Sequence, residues 1–177
     1  MAEVNGVTAP VLETERLVLR AHTRADFDDS ARLWGDPEVV RFIGGEPFDE
    51  EIVWFRLLRH VGHWALLGFG YWVARERATG RFVGEVGLAD LHRIIEPGLD
   101  APEAGWVLAP WAHGRGFATE AVRRVLAWSD AHLGPRTTCI IEEGHTASFH
   151  VAAKCGFREL AKTTYKGSPT VVLARDA

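Results

Sequence analysis

The sequence predicts a single α/β or α+β domain of about seven strands and about four helices, and three observations carry that expectation. Its 177 residues suit one domain. The apolar share of 47% against 25% charged, with seven tryptophans and nine phenylalanines, is enough to fill a packed core. Strand and helix periodicities follow one another in the order βαα-ββ-β-α-β-α-ββ, with no repeat, low-complexity run or linker between them. Residues 1–13 are polar and irregular and read as a loose arm, leaving 14–177 as the domain.

Each element has a local reason. In "RLVLRAH" (16–22), Leu17 and Leu19 alternate with Arg16, Val18 and Arg20, the period of a half-buried strand. "TRADFDDSARLWGD" follows as a helix capped by Thr23, with Phe27, Ala31 and Trp34 in helical register and Gly35 as its stop. "DPEVVRFIGGEPF" opens on a helix-initiating Asp-Pro and ends at Gly44-Gly45. Residues 49–68 start with acids and repeat apolar side chains at 52, 55, 58 and 61, which predicts a longer helix. "YWVARER", "ATG" and "RFVGEVGLADLH" read as a hairpin, residues 91–102 as a loop, and "EAGWVLAP" (103–110) as a strand that Pro110 ends. A helix over 119–134 places Ala121, Val122, Val125, Leu126 and Ser129 on one face, and Gly134-Pro135 stops it. "RTTCIIEE" is a β-branched strand, "TASFHVAAKCG" a short helix, and the rest a hairpin turning at Lys166-Gly167-Ser168.

Composition excludes several classes. A net charge of −4 argues against broad binding to nucleic-acid phosphates. Cys139 and Cys155 form no disulfide framework and no CxxC pair, so they read as buried thiols in a reducing compartment. Glu3 and the lack of an apolar stretch exclude a signal peptide at the start, and no apolar run approaches the ~20 residues of a membrane helix. The expectation is a soluble, cytoplasmic protein without membrane or nucleic-acid partners. His60 and His63 stand at i, i+3, but no acid or cysteine lies near them in sequence, so they read as surface histidines and no metal is expected.

The chemistry concentrates in "PWAHGRGFATEA" (110–121), where a strand runs into two glycines and a helix start. Such a turn offers free N–H groups and the positive end of a helix to an anion. Gly114 and Gly116 let the backbone approach a diphosphate, and Arg115, Arg123 and Arg124 add positive charge. No Lys-Ser or Lys-Thr follows, as a P-loop requires, and Thr119 occupies the last position of a dinucleotide fingerprint. Taken alone, the turn reads equally as a tight left-handed bend that ends the strand.

Its surroundings favour the anion site. "HGRGFA" resembles the acyl-CoA pyrophosphate motif of the GNAT superfamily of N-acetyltransferases, with His113 at the Gln/Arg position, Gly116 at the glycine and Ala118 at the Gly/Ala. "EAGWVLAPWAHGRGFATEA", "HTASFHVAAKCGF" (145–157) and "ETERLVLR" are similar to successive segments of the RimJ/RimL-like branch. His145 stands where the branch has Asn, Ser148 matches its serine, and Ala152 occupies the position of the general-acid tyrosine of many superfamily members. The resemblance implies a mixed, mostly antiparallel central sheet opened in a V, and acetyl-CoA as co-substrate.

It further implies a primary-amine acceptor, either a protein N-terminal α-amine or a small-molecule amine, and a homodimer. Its implied cofactor contacts are His113, Gly114, Arg115, Gly116, Phe117, Ala118, Thr119, His145 and Ser148, with the N–H of Val107 or Leu108 polarising the thioester. Glu103, sharing a strand face with Gly105 and Val107, is the first candidate base, and Glu85 in "GEVGL" the second. Ser148 is the candidate proton donor to the thiolate. The net acidity suits a cationic acceptor. A non-catalytic acyl-CoA-binding module of the same fold is the rival reading.

Overall fold

A computed structural model describes residues 8–177. Residues 1–7 of the expected arm lie outside the described residues. The remainder of the arm is not loose. Strand β1 (Leu12–Glu13) pairs antiparallel with β2 (Leu17–Arg20), Ala9 and Leu12 are buried, and the Trp72 indole donates to the Pro10 carbonyl at 2.8 Å. Burying Leu12 against the sheet draws in the short polar segment around it, and this adds an eighth strand to the seven expected.

The other strands are β3 (Tyr71–Glu76), β4 (Phe82–Ala89), β5 (Glu103–Leu108), β6 (Arg136–Glu142), β7 (Arg158–Tyr165) and β8 (Ser168–Asp176). They form one sheet in the order β1-β2-β3-β4-β5-β6-β8-β7, antiparallel throughout except where β5 meets β6. That parallel pair holds at one position, Glu103 opposite Thr138, and the strands then part. The sheet is therefore a V whose wide end lies at the C-terminal ends of β5 and β6.

Helices α1 (Phe27–Trp34) and α2 (Pro37–Val40) belong to one core with Val73 and Phe82; α4 (Phe117–His132) and α5 (Thr146–Lys154) belong to the larger one, with Leu17, Leu19, Trp72 and Leu88. Helix α3 (Glu50–Leu67) spans both, giving Val53 to the first and Trp64 to the second. Two helix starts differ from expectation. A 3-10 turn (Arg24–Asp26) intervenes between Thr23 and α1, because the buried Asp26 carboxylate accepts from the Thr23 N–H and hydroxyl and pulls the chain tight. Helix α4 begins two residues before Thr119, because Gly116 takes a left-handed φ of 79° and ends the loop there.

Helix α3 corrects a further expectation. Its buried residues are Val53, Leu57, His60 and Trp64, whereas Ile52, Phe55, Leu58 and Val61 are exposed. Both sets lie on a helical stripe, and counting apolar residues favours the wrong one because the buried stripe contains a histidine. Cys139 and Cys155 are buried free thiols, and no helix of the described residues is long and apolar enough to cross a membrane.

Candidate active site

The phase of the main-chain hydrogen bonds determines what each strand offers to the V. The Ala109 N–H donates to the Val83 carbonyl in register with the β4–β5 ladder, so residues 107, 105 and 103 turn their polar backbone groups toward β4. Trp106 and Leu108 turn theirs the other way, into the gap. Thus Val107, expected as a possible polarising donor, is occupied in the ladder, while Leu108 remains available and Trp106 joins it. On the facing strand, the Glu143 N–H donates to the Pro169 carbonyl, which by the same alternation turns Ile140 and Glu142 into the gap.

Beyond the wide end, β5 leads through Pro110–Ala112 into the glycine turn. His113 Nε2 lies 2.9 Å from the Leu108 carbonyl, so its ring N–H ties the turn to the strand end. Gly114 and Gly116 have φ of 71° and 79°. No protein acceptor among the described residues engages the N–H groups from Gly114 to Thr119, the first bond of the helix being Glu120 N–H to the Gly116 carbonyl. Six consecutive free amides at the head of a 16-residue helix are a fitting donor set for a diphosphate.

Arg16 holds this turn in place, a role the sequence did not disclose: it donates to the Arg115 carbonyl at 2.9 Å and pairs with Glu120. Phe117 contributes only its N–H, because its ring is buried in the core against Trp111. The Arg115 guanidinium packs over Trp111 and Phe117 and faces Glu76 at 3.8 Å. Ala118 and Thr119 are half-buried at the first turn of α4.

A cavity of about 490 Å³ adjoins the V. Glu103, Gly105, Trp106 and Val107 line it from β5, Ile140 to Glu142 from β6, and His145 and Ser148 from the start of α5. The Ser148 hydroxyl has no hydrogen-bond partner among the described residues, although its N–H caps onto the His145 carbonyl. His145 stacks on Phe42 (4.5 Å between centroids, 13° between planes), joining the segment after α2 to the far arm of the V. Burial, the largest influence, lowers its pKa and favours the neutral imidazole.

Of the two candidate carboxylates, only Glu103 faces the cavity. It is buried and held in a forked pair by Arg93, at 2.5 and 2.8 Å, and Arg93 also donates to the Tyr165 hydroxyl at 2.8 Å. Glu85 does not line the cavity. It lies beneath, fully buried, accepting from Ser30 (2.7 Å) and the Trp34 indole (3.0 Å). A carboxylate so enclosed cannot reach an amine in the cavity, and Glu85 is withdrawn as a base.

The imidazoles of His22 and His60 face Glu85 at 3.6 and 3.4 Å, so His60 is neither a surface residue nor without an acid. Burial works against a charged Glu85, but the two facing imidazoles outweigh it and hold the carboxyl well below its usual range. His22, His60 and Glu85 bring three ligand atoms within 4.8 Å of one another. The imidazoles of His22 and His60 are stacked, 4.7 Å apart and 28° between planes.

Sequence reasoning missed the groups that come from distant elements. Tyr71 reaches the cavity from β3, and burial together with the Glu103 charge pushes its hydroxyl up to about 12, so it stays protonated. Trp34, Arg56, Arg59 and Arg93 also line the cavity. The one local signal was the glycine pair Gly87 and Gly105, which sit opposite one another and leave room for Tyr71.

Comparison with known proteins follows the same outline. The family described as "Acetyltransferase (GNAT) domain" matches residues 16–158. The chain is 26% identical over 155 residues to an uncharacterized N-acetyltransferase, YoaA, of Bacillus subtilis (strain 168), covering 85% of this chain and 84% of that one. It is 34% identical over 158 residues to the FsC-acetyl coenzyme A-N(2)-transacetylase of Aspergillus fumigatus, covering 83% of this chain and 64% of that longer protein. Among solved structures, a GnaT-family acetyltransferase from Bordetella pertussis is similar at 30% identity and a TM-score of 0.83, covering 94% of this chain and 99% of that one.

Proposed function

Because the chain belongs to the GNAT family of N-acetyltransferases, of the RimJ/RimL type, we propose that it transfers the acetyl group of acetyl-CoA to a primary amine by direct attack on the thioester. The observation that carries this reading is the succession along β5 of three parts: a cavity walled by Glu103, the free N–H groups of Trp106 and Leu108, and six free amides from Gly114 to Thr119. The amides hold the diphosphate, and the gap between β5 and β6 admits the pantetheine arm.

Within that frame the Trp106 N–H, which has no ladder partner and lines the cavity with Glu103, donates to the thioester oxygen as it becomes an oxyanion, and the Leu108 N–H holds the pantetheine arm. Glu103 attracts the acceptor ammonium. Since Arg93 occupies its oxygens, Glu103 removes the proton through a bridging water, using its remaining lone pairs. The neutral amine nitrogen bonds to the acetyl carbon, gives its second proton to solvent water, and the carbon–sulfur bond breaks as the carbonyl re-forms. The Ser148 hydroxyl, otherwise without a partner, gives the departing thiolate its proton and regains one from solvent. The acceptor is a protein N-terminal α-amine or a small-molecule amine.

A thiol-release assay with acetyl-CoA against peptides and small amines tests the proposal. Saturable, amine-dependent release is expected. Calorimetric CoA binding with no release across the panel would instead make the chain a non-catalytic CoA-binding module.

A further inference from the structure

Most half-buried arginines among the described residues carry an acidic partner. Arg20 and Arg75 share Asp26, Arg93 grips Glu103, and Arg175 grips Asp130. Half-buried Arg56 on α3 is different, and Arg59, one turn further along α3, joins it at the cavity. Both line the cavity, and neither forms a hydrogen bond or ion pair through its guanidinium with any of the described residues. Arg56 lies flat over Trp34, 3.6 Å from the ring centroid, with Phe48 at 5.6 Å, and its Nε is buried without an acceptor.

Glu85 lies below this platform, but its oxygens already accept from Ser30 and Trp34. Burial, first, and then the neighbouring Arg59 lower Arg56 to about 10, so it remains charged at neutral pH. An unpaired, partly desolvated guanidinium facing a cavity is costly unless a ligand supplies the anion.

We infer that the acceptor is a carboxylate-bearing amine, its carboxylate held by Arg56 and Arg59 and its amine directed to Glu103. The inference rests on the acetyl-transfer reading and narrows its acceptor. The cavity sets Arg56, Arg59, Arg93 and Lys166 against Glu103 and Glu142, and Arg93 already neutralises Glu103. The local field is therefore positive, the reverse of what the whole-chain charge suggested for the acceptor. A polyamine would place its second ammonium against guanidinium groups. The planar fork of Arg56, oriented by Trp34, matches a carboxylate in two hydrogen bonds.

The test compares amines that differ only in the carboxylate: L-phenylalanine with phenethylamine, L-leucine with isoamylamine, and a peptide beginning Asp with one beginning Asn, with spermidine as the polycation. The carboxylate-bearing member of at least one pair should have a kcat/KM higher by about tenfold or more, the scale of a charge-assisted hydrogen bond. The amino-acid and peptide pairs tell a free amino acid from an acidic chain end.

Arg59→Gln, at an exposed position, and Arg56→Gln, checked for folding by circular dichroism, should each erase most of that preference through KM while the Kd for CoA stays in place. Equal turnover within every pair, spermidine as the best acceptor, or a preference that survives in the double variant would overturn the inference and leave acetyl transfer standing. If no amine is turned over, acetyl transfer fails instead. Calorimetric titration of L-phenylalanine and phenethylamine into the CoA-bound protein then decides this inference: tighter binding of L-phenylalanine supports it, and equal or absent binding overturns it.

Discussion

Tyr71 lies across Gly87 and sets its hydroxyl against Gly105, so a phenol from β3 crosses β4 and reaches β5 over two positions that have no side chain. A Cβ on Gly87 would fall 2.9 Å from the Tyr71 ring, and one on Gly105 would overlap the hydroxyl itself. Gly105→Ala should therefore push Tyr71 aside and cost about 1–3 kcal/mol by overpacking. Thermal melts will show it. Tyr71→Ala in the same chain should remove most of that added penalty, a non-additivity that simple strand weakening by the substitution would not produce.

The two glycines of the turn face the same backbone demand. Both have positive φ, so alanine at either should cost about 1–2 kcal/mol of stability. Alanine at Gly116 would meet the Arg16 guanidinium at 3.5 Å, whereas nothing lies within 4 Å of one at Gly114. Steady-state kinetics should show a larger rise in the KM for acetyl-CoA from Gly116→Ala, because the free amides begin their helical course there. An unchanged KM in both variants would move the diphosphate seat elsewhere.

Glu103 and Arg93 act as a pair. Arg93→Ala leaves a buried carboxylate without its partner and should destabilise the fold by about 3 kcal/mol. Glu103→Gln keeps the shape and should lower kcat/KM by about a hundredfold. A kcat/KM and pH profile that both survive Glu103→Gln would retire it as the proton acceptor.

Ser148→Ala should lower kcat by about tenfold or more with little change in the acceptor KM, since the proposed proton is needed only as the thiolate departs. A poor-base leaving thiol in place of CoA should shrink the deficit, and a deficit that stays the same would assign Ser148 to binding alone.

Stability should fall in mild acid. Burial, opposed by Glu85, brings His60 from 6.5 down to about 4. Between these values the unfolded chain takes a proton that the folded chain refuses, so stability rises with pH across that window and is lost as pH falls through it. The full effect is about 3 kcal/mol. Urea titrations from pH 4 to 7 will measure the slope, and His60→Gln should flatten it.

Much of the site was legible because its signals are local. A left-handed turn requires glycine, a helix start offers free amides, and both requirements are met within "HGRGFA", whatever the rest of the chain does. Glu103 was a candidate from its place at the start of a strand, and it does line the cavity. Glu85 looked equivalent to it because strand periodicity does not say which positions a helix will cover, and α1 covers Glu85 with Ser30 and Trp34. The apolar stripe of α3 misled for a related reason: Ile52, Phe55, Leu58 and Val61 have the right spacing, but the sheet buries the stripe that holds His60 and Trp64.

By itself, then, the sequence determined the order of elements, the glycine turn and the helix it starts, since those depend on backbone sterics and hydrogen bonding between near neighbours. Tertiary structure alone decided which N–H of β5 points into the gap, because that depends on the phase of pairing with β4. It also decided that Trp34, Arg56, Tyr71, Arg93 and Glu103 share one cavity. Those five residues come from separate segments of the chain, and long-range packing, which no local pattern encodes, brings their side chains to a common wall.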